Sequence, residues 1–360
     1  MTPQETLMPA EQNIVITDSA TLDQSITNRV DSWIVTRGEL SLPCVPALLD
    51  KYVERLQALF ESIGKPWKPE ELERLRQLLA QKLATAFETS PHSRIIVKYE
   101  TDKFPSTPTK RLVLSVSVLV STVEDEYKMW TQTREPPLFG KHPDAKVMAV
   151  AAELGEPASA AILDVGAGTG RNTLPLARLG YPVQALEMVP AFLRQILAVV
   201  NAEGLPVMVT PGNILDPKIE LPKANYKLAI VAEVVSHFRS VEQLKHLLTK
   251  MAEVLRPGGL LLFNMFLTIE GYEPDAVVRQ MSEVAWSSLF TPAELAAALE
   301  GLPLELVSDE SVYEYEQEHL PAEAWPPTGW FTQWAAGRDL FPISDGLPPI
   351  ELRWLLYRRL

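Results

Sequence analysis

The sequence is poor in cysteine, histidine, net positive charge and long apolar runs, and each shortage closes off a class of explanation. A single cysteine, Cys44, excludes an internal disulfide and any cysteine-built metal cluster. With no histidine near it in sequence, that thiol reads as a small packed residue of a reducing compartment rather than a nucleophile. The five histidines show neither HxH nor HxxxH spacing, so no metal site is expected. Lys and Arg number 33 against 46 acids, a net charge of −13, which argues against a sequence-independent hold on nucleic acid or an anionic membrane. The local run of bases Arg94, Lys98, Lys103, Lys110 and Arg111 reads as a solvated face. No apolar stretch approaches the ~20 residues that span a bilayer, and MTPQETLMPAEQ has neither the basic segment nor the apolar core of a leader. A cytoplasmic protein with a small-molecule substrate, and no nucleic-acid or membrane partner, is the expectation.

What is present is concentrated at residues 160–189, AAILDVGAGTGRNTLPLARLGYPVQALEMV. An apolar strand (161–165) runs through a turn with Gly166, Gly168 and Gly170 into a helix (172–179), and a second strand (183–186) ends in Glu187. Glycines between strand and helix let a ligand approach bare backbone with the helix N-terminus facing it. An acid at the tip of the following strand can accept both hydroxyls of a ribose. A dinucleotide fingerprint G-x-G-x-x-G counted from Gly166 would need glycine where Arg171 stands. The pattern here is D-x-G-x-G-x-G, Asp164 to Gly170.

That run resembles motif I of the class I S-adenosylmethionine-dependent methyltransferases, and later motifs extend the resemblance. Glu233-Val-Val-Ser-His237-Phe238 resembles the lip beside the cofactor and the methyl-acceptor pocket, and Leu255-Arg-Pro-Gly-Gly-Leu-Leu261 resembles the family's L-R-P-G-G-x-L. The resemblance implies an α/β fold, a seven-stranded mostly parallel doubly wound (Rossmann-like) sheet, with S-adenosyl-L-methionine as cofactor and S-adenosyl-L-homocysteine as product. It implies cofactor contacts from Asp164, Gly166, Gly168, Gly170, Glu187, Met188, Asn213, Ile214 and Glu233. Arg171 is expected to pair with the cofactor carboxylate or to lie on the helix surface. Two positions depart from the family pattern: Asn213 and Lys227 stand where aspartates are usual. The Asn213 amide oxygen can accept the same adenine hydrogen bond without charge. His237 is the candidate general base, with a positioning role as the alternative, and Glu233 stands beside it as a catalytic candidate.

Residues 1–28 read as a flexible arm. Apolar residues at three- and four-residue steps predict a helix at 46–63 and another from Pro69. In the second, Leu72, Leu75, Leu78, Leu79, Leu83 and Phe87 form a stripe suited to a helix-on-helix core or to a homodimer contact. Runs at 94–100 and 111–122 predict a β-hairpin. Residues 29–122 are thus an accessory α+β domain, free to cover the active site, bind substrate or make a dimer. Residues 123–159 are bridging helices or a lid, in which Tyr127 and Trp130 either border the sulfonium or staple two domains. Residues 160–360 are the methyltransferase domain. It closes with a helix capped by Thr291 and strands at 304–315 and 350–359, and carries a Trp-rich insertion at 316–349. Phe266, Trp325, Trp330 and Trp334 are expected either as a hydrophobic substrate lid or as packing. The sequence leaves three functional readings: methylation of a small metabolite at O, N or C, methylation of a protein side chain, or ligand binding without catalysis.

Overall fold

The computed structural model describes residues 15–101 and 112–360. Helix α1 (Ser19–Trp33) occupies part of the expected arm and exposes Leu22, Ile26, Val30 and Trp33; residues 1–14 lie outside the described residues. Strand β1 (Arg37–Pro43), α2 (Leu49–Ser62), α3 (Pro69–Thr89), β2 (Arg94–Thr101) and β3 (Leu112–Leu119) share one apolar core. The strands form an antiparallel sheet in the order β1-β2-β3, with Arg94 opposite Leu119 and Arg37 opposite Glu100. Pro at the first turn of α3, with the Glu71 carboxylate accepting from the Lys68 N–H at 3.1 Å, fixes where that helix starts. Its Leu75, Leu79 and Leu83 are buried with Tyr52, Val53, Leu56 and Phe60 of α2, and its Phe87 is buried beneath Arg239. The leucines of the stripe thus serve as helix-on-helix core, the first of its two expected roles, and Leu78 alone of them is exposed. Cys44 is fully buried there, and burial pushes its thiol up to about 11. Among the basic residues, Arg94 donates to Ser41 and Lys98 pairs with Glu39, while Lys103, Lys110 and Arg111 lie outside the described residues.

Two helices lead onward, α4 (Val123–Thr133), capped by Thr122, and α5 (Ala145–Ala152). The main sheet and its helices follow in alternation: β4 (Ile162–Val165), α6 (Thr173–Arg178), β5 (Val183–Glu187), α7 (Pro190–Glu203), β6 (Val207–Pro211), β7 (Tyr226–Val231), α8 (Val241–Val254) and β8 (Leu255–Thr268). The remaining elements are α9 (Ala276–Val284), β9 (Leu289–Phe290), α10 (Pro292–Leu299), β10 (Leu304–Ser311), α11 (Val312–His319), α12 (Phe331–Ala335) and β11 (Ile350–Arg359). Strand order is β10-β11-β8-β7-β4-β5-β6, with the short β9 beside β8. Strands β4 to β8 are mutually parallel, and β11 runs antiparallel to both its neighbours. Separate apolar clusters cover the two faces. The winding reverses between β4 and β7, and the crevice beyond their carboxyl ends is where such sheets take ligands.

Three details differ from the sequence reading. The strand expected at 304–315 stops at Ser311, whose hydroxyl accepts from the Glu314 N–H at 3.3 Å and starts α11. Strand β8 reaches back to Leu255, through the Pro-Gly-Gly segment, with a register shift against β7. Strand β1, with glycine second and proline last, carried no strand pattern in sequence. Thr291 caps α10 as read, in a reciprocal box with Glu294. No helix among the described residues is long and apolar enough to cross a membrane.

Candidate active site

The turn after β4 is built from local constraints. Gly166 has φ +72, and a Cβ there would lie 2.4 Å from Val234 Cγ2; Gly168 has φ +55. Only glycine takes that backbone without strain and leaves the loop bare. Glu187 fixes it from β5: one carboxylate oxygen accepts the Gly168 N–H at 2.7 Å and the other the Val189 N–H at 2.7 Å. Burial raises the Glu187 pKa against these bonds. Asp164 accepts the Thr173 hydroxyl at 2.5 Å, and burial pushes its pKa to about 6. The Asp164 carboxyl thus ties β4 to α6 rather than facing open solvent.

A cavity of about 310 Å³ lies against this loop. Asp164, Gly166, Gly168, Arg171, Glu187 and Met188 line one part of it. Asn213, Ile214, Glu233, Tyr127 and His237 line the rest. Gly170 faces a neighbouring cavity and packs on Leu174 and Ile196, and Trp130 faces another. Asn213 uses its side-chain oxygen on the Leu215 N–H at 2.9 Å, so the expected acceptor is spent in the loop. Its amide NH₂ is the group left to a ligand.

A second cavity, of about 230 Å³, shares Tyr127, Phe139, Glu233 and His237 with the first. Trp130, Trp286, Trp330 and Trp334 wall it. Trp286 holds φ +59, a backbone that costs a bulky residue about 1–3 kcal/mol and gathers at functional sites. It is the hub of the cluster, 5.0 Å from Trp130, 5.3 Å from Tyr127 and 5.0 Å from His237 by ring centroids. His92, from the loop after α3, stacks on it at 4.2 Å, and Trp334 Nε1 donates to its carbonyl. Arg239 secures that junction by donating to the Phe87 and Glu88 carbonyls and to Glu283. Tyr127 Oη lies 3.1 Å from His237 Nε2. Burial lowers the His237 pKa to about 4 and raises that of Tyr127 beyond the ordinary phenol range, so both are neutral near pH 7.

The four residues expected as a substrate lid or as packing divide into two pairs. Trp330 and Trp334 line the cavity, but Phe266 is fully buried against Trp334, and Trp325 packs on Tyr313 and Phe331. Both belong to the core on that face of the sheet, because β8 carries Phe266 inward and the insertion folds down over it. His319 stacks on Tyr315, away from these cavities, and His246 is exposed on α8.

Arg171 lies neither free in the crevice nor on a helix surface. Its guanidinium donates to Asp144 and to Glu233, each at 2.6 Å, with its side chain only 8% exposed. Asn172 brackets Asp144, donating to its carboxylate at 2.8 Å and accepting its backbone N–H at 2.9 Å. Glu316 of α11 caps α5 by accepting the Ala145 and Lys146 N–H groups, and burial pushes its pKa to about 7. Glu233 has φ +58 and donates its own N–H to Asn264 Oδ1 at 2.7 Å. Sequence reasoning missed Asp144, Glu316, Trp286, His92 and Phe139. None of the five carried a local signal of a site.

Residues 162–259, from β4 into β8, match a family profile described as a methyltransferase domain. A ubiquinone biosynthesis O-methyltransferase of Methylobacterium sp. (strain 4-46) is 28% identical over 186 residues, 49% of this chain and 68% of that protein. One of the same name from Xanthomonas axonopodis pv. citri (strain 306) is 29% identical over 184 residues, 48% and 74% of the respective chains.

Residues 162–259 are a methyltransferase domain.

Among solved structures, geranyl diphosphate C-methyltransferase from Streptomyces coelicolor A3(2) overlays on 66% of this chain and 98% of its own length, with 13% identity and a TM-score of 0.48. Both similar O-methyltransferases align with about half of this chain. No cluster of His, Cys, Asp and Glu able to hold a metal ion occurs among the described residues.

Proposed function

We propose that this chain is a class I S-adenosylmethionine-dependent methyltransferase, which moves the methyl group of S-adenosyl-L-methionine onto an O, N or C atom of a small metabolite and releases S-adenosyl-L-homocysteine. The observation that carries this reading is the aromatic cavity joined to the glycine-loop cavity at Tyr127, Phe139, Glu233 and His237. At about 230 Å³ and walled by four tryptophans, it suits a compact molecule better than a polypeptide segment. The names of the similar O-methyltransferases agree with a small acceptor.

The residues present fit the cofactor. The bare turn at Gly166 and Gly168 admits its backbone-facing edge, and Glu187 keeps lone pairs for two ribose hydroxyls beyond its two backbone bonds. Met188 and Ile214 offer apolar surface to the base, and the Asn213 NH₂ offers a donor. The bound cofactor supplies a methyl group already activated on a positive sulfur. Tyr127 and Phe139 exclude water at the junction, where an aromatic face favours positive charge by ~0.5–2 kcal/mol. What remains for the protein is alignment, which lowers such barriers by up to ~7–11 kcal/mol. An O–H or N–H acceptor also loses a proton, and His237 Nε2 is the neutral base at the junction.

That assignment has a pH signature. Because burial holds His237 near 4, the basic form is present from about pH 5 upward, and activity should fall only as pH drops toward 4. His237→Asn should lose about 10²-fold in rate together with that acid limb. A pH–rate profile of unchanged shape and height in His237→Asn assigns the residue to positioning Tyr127 instead. The function itself is tested by tritium transfer from methyl-labelled S-adenosyl-L-methionine into a cell extract fractionated by size. Label in small molecules is the expected result. Label in protein favours side-chain methylation, and label nowhere despite tight S-adenosyl-L-homocysteine binding favours a non-catalytic binder.

A further inference from the structure

A third cavity, of about 320 Å³, lies on the other side of the glycine loop and has a lining unlike the rest of the molecule. Arg134, Lys141, Arg171 and Arg178 line it and no acid does, in a chain with 46 acids and 33 bases. Two of those cations are already matched: Arg171 with Asp144 and Glu233, and Arg178 with Glu203. Arg134 and Lys141 have no ion-pair partner among the described residues. Arg134 is not simply waving in solvent, because its guanidinium carbon sits 3.8 Å from the centroid of the Trp130 ring. A guanidinium held against a ring keeps its planar fork of N–H donors ordered, which is the geometry that takes a carboxylate or phosphate bidentately. Thr169 and Gly170 of the loop, Pro136 and Pro137 also line it.

We propose that this cavity binds an oxyanion, a phosphate, diphosphate or carboxylate, through Arg134 and Lys141. Arg134 also lines the aromatic cavity, so an acceptor seated among the tryptophans can extend an acidic group past it into the cationic one. That source of the oxyanion rests on the proposed methyl-transfer function; a free anion does not. In an acidic protein the two unmatched cations also mark where an anionic ligand meets the least repulsion on approach.

The probe is inorganic pyrophosphate, titrated into the full chain by calorimetry and followed by ³¹P line broadening. Saturable binding is expected, weakened at least tenfold in the double variant Arg134→Gln/Lys141→Gln. Affinity for S-adenosyl-L-homocysteine should stay within twofold, since neither residue lines that cavity. Both side chains are exposed, and circular dichroism checks that the variant is folded. Absence of pyrophosphate binding in the wild type, or equal binding in the double variant, overturns the proposal. The tritium assay separates the two sources. If the labelled product is retained on an anion exchanger and the variant needs about tenfold more extract for the same label, the oxyanion is part of the acceptor. If the extract titration is unchanged while pyrophosphate binding is lost, it is a separate ion. Wild-type protein that binds pyrophosphate but not S-adenosyl-L-homocysteine would remove the methyl-transfer reading and leave this site standing.

Discussion

Arg171→Ala is expected to destabilise the folded chain by about 3–5 kcal/mol at pH 7, the usual consequence of removing one partner from a buried ion pair. The guanidinium is the shared counter-charge of Asp144 and Glu233, and without it a buried Asp144 and a Glu233 whose side chain is 18% exposed are left with no cation to match them. A surface arginine would cost well under 1 kcal/mol, so the magnitude separates the two cases. The pH dependence has a definite sign. Burial already raises Glu233 and Glu316, with Arg171 opposing the rise at Glu233. Without the arginine, the Glu233 carboxyl moves further above its unfolded value. A folded-state pKa above the unfolded one means stability that is present at low pH and lost as pH rises through the folded pKa. The deficit of Arg171→Ala should therefore be smaller at pH 5 than at pH 8. Urea denaturation of both proteins at the two pH values measures it. A deficit below 1 kcal/mol, or one that grows on acidification, would show that the cluster is solvated.

The same arginine shows where sequence reasoning reached its limit. Gly166, Gly168, Glu187 and the Thr291 cap were legible because their causes are local: a backbone only glycine adopts, an acid at a strand tip, a hydroxyl three residues before its donor. Arg171 stands in the most recognisable motif of the chain, yet its partners lie 27 and 62 positions away, on the linker before α5 and in the lip after β7. Only the sheet order brings them together. Trp286 was hidden for a different reason. Its left-handed backbone is one that a large aromatic residue rarely takes, so no pattern announces it, and its stacking partner His92 comes from the accessory fold. Phe266 and Trp325 failed as lid residues because composition cannot tell a tryptophan over a pocket from one beneath it. Helices α2 and α3 were readable from periodicity, whereas α1 fell in the expected arm and β1 was invisible until β2 offered it an edge.

Glu187→Gln carries the largest expected effect on ligand binding, a fall of about 10²–10³-fold in affinity for S-adenosyl-L-homocysteine. The carboxylate accepts from Gly168 on one oxygen and from Val189 on the other. An amide replaces one of those acceptors with an NH₂ group, which then faces a backbone N–H with nothing to receive it. Hydrogen bonds to a charged group contribute about 1.5–3 kcal/mol each, and an unmatched buried donor costs a similar amount. The loop that faces the cofactor cavity must shift to relieve this, so one substitution removes a ribose acceptor and misplaces the backbone beside it. Two readouts distinguish these losses. Thermal unfolding without ligand reports the strain in the loop, and calorimetry with S-adenosyl-L-homocysteine reports both losses together. Acidification should imitate the variant. Burial raises the Glu187 pKa, so lowering the pH toward it converts the carboxylate into a carboxylic acid that no longer accepts from both loops. Wild-type affinity should therefore decline on the acid side more steeply than that of Glu187→Gln, in which only Asp164 and Glu233 of the cavity's raised carboxyls remain to titrate. Affinity within threefold of wild type in Glu187→Gln, with the same acid decline, would mean that the strand-tip acid holds only its own loop and that the cofactor is gripped elsewhere.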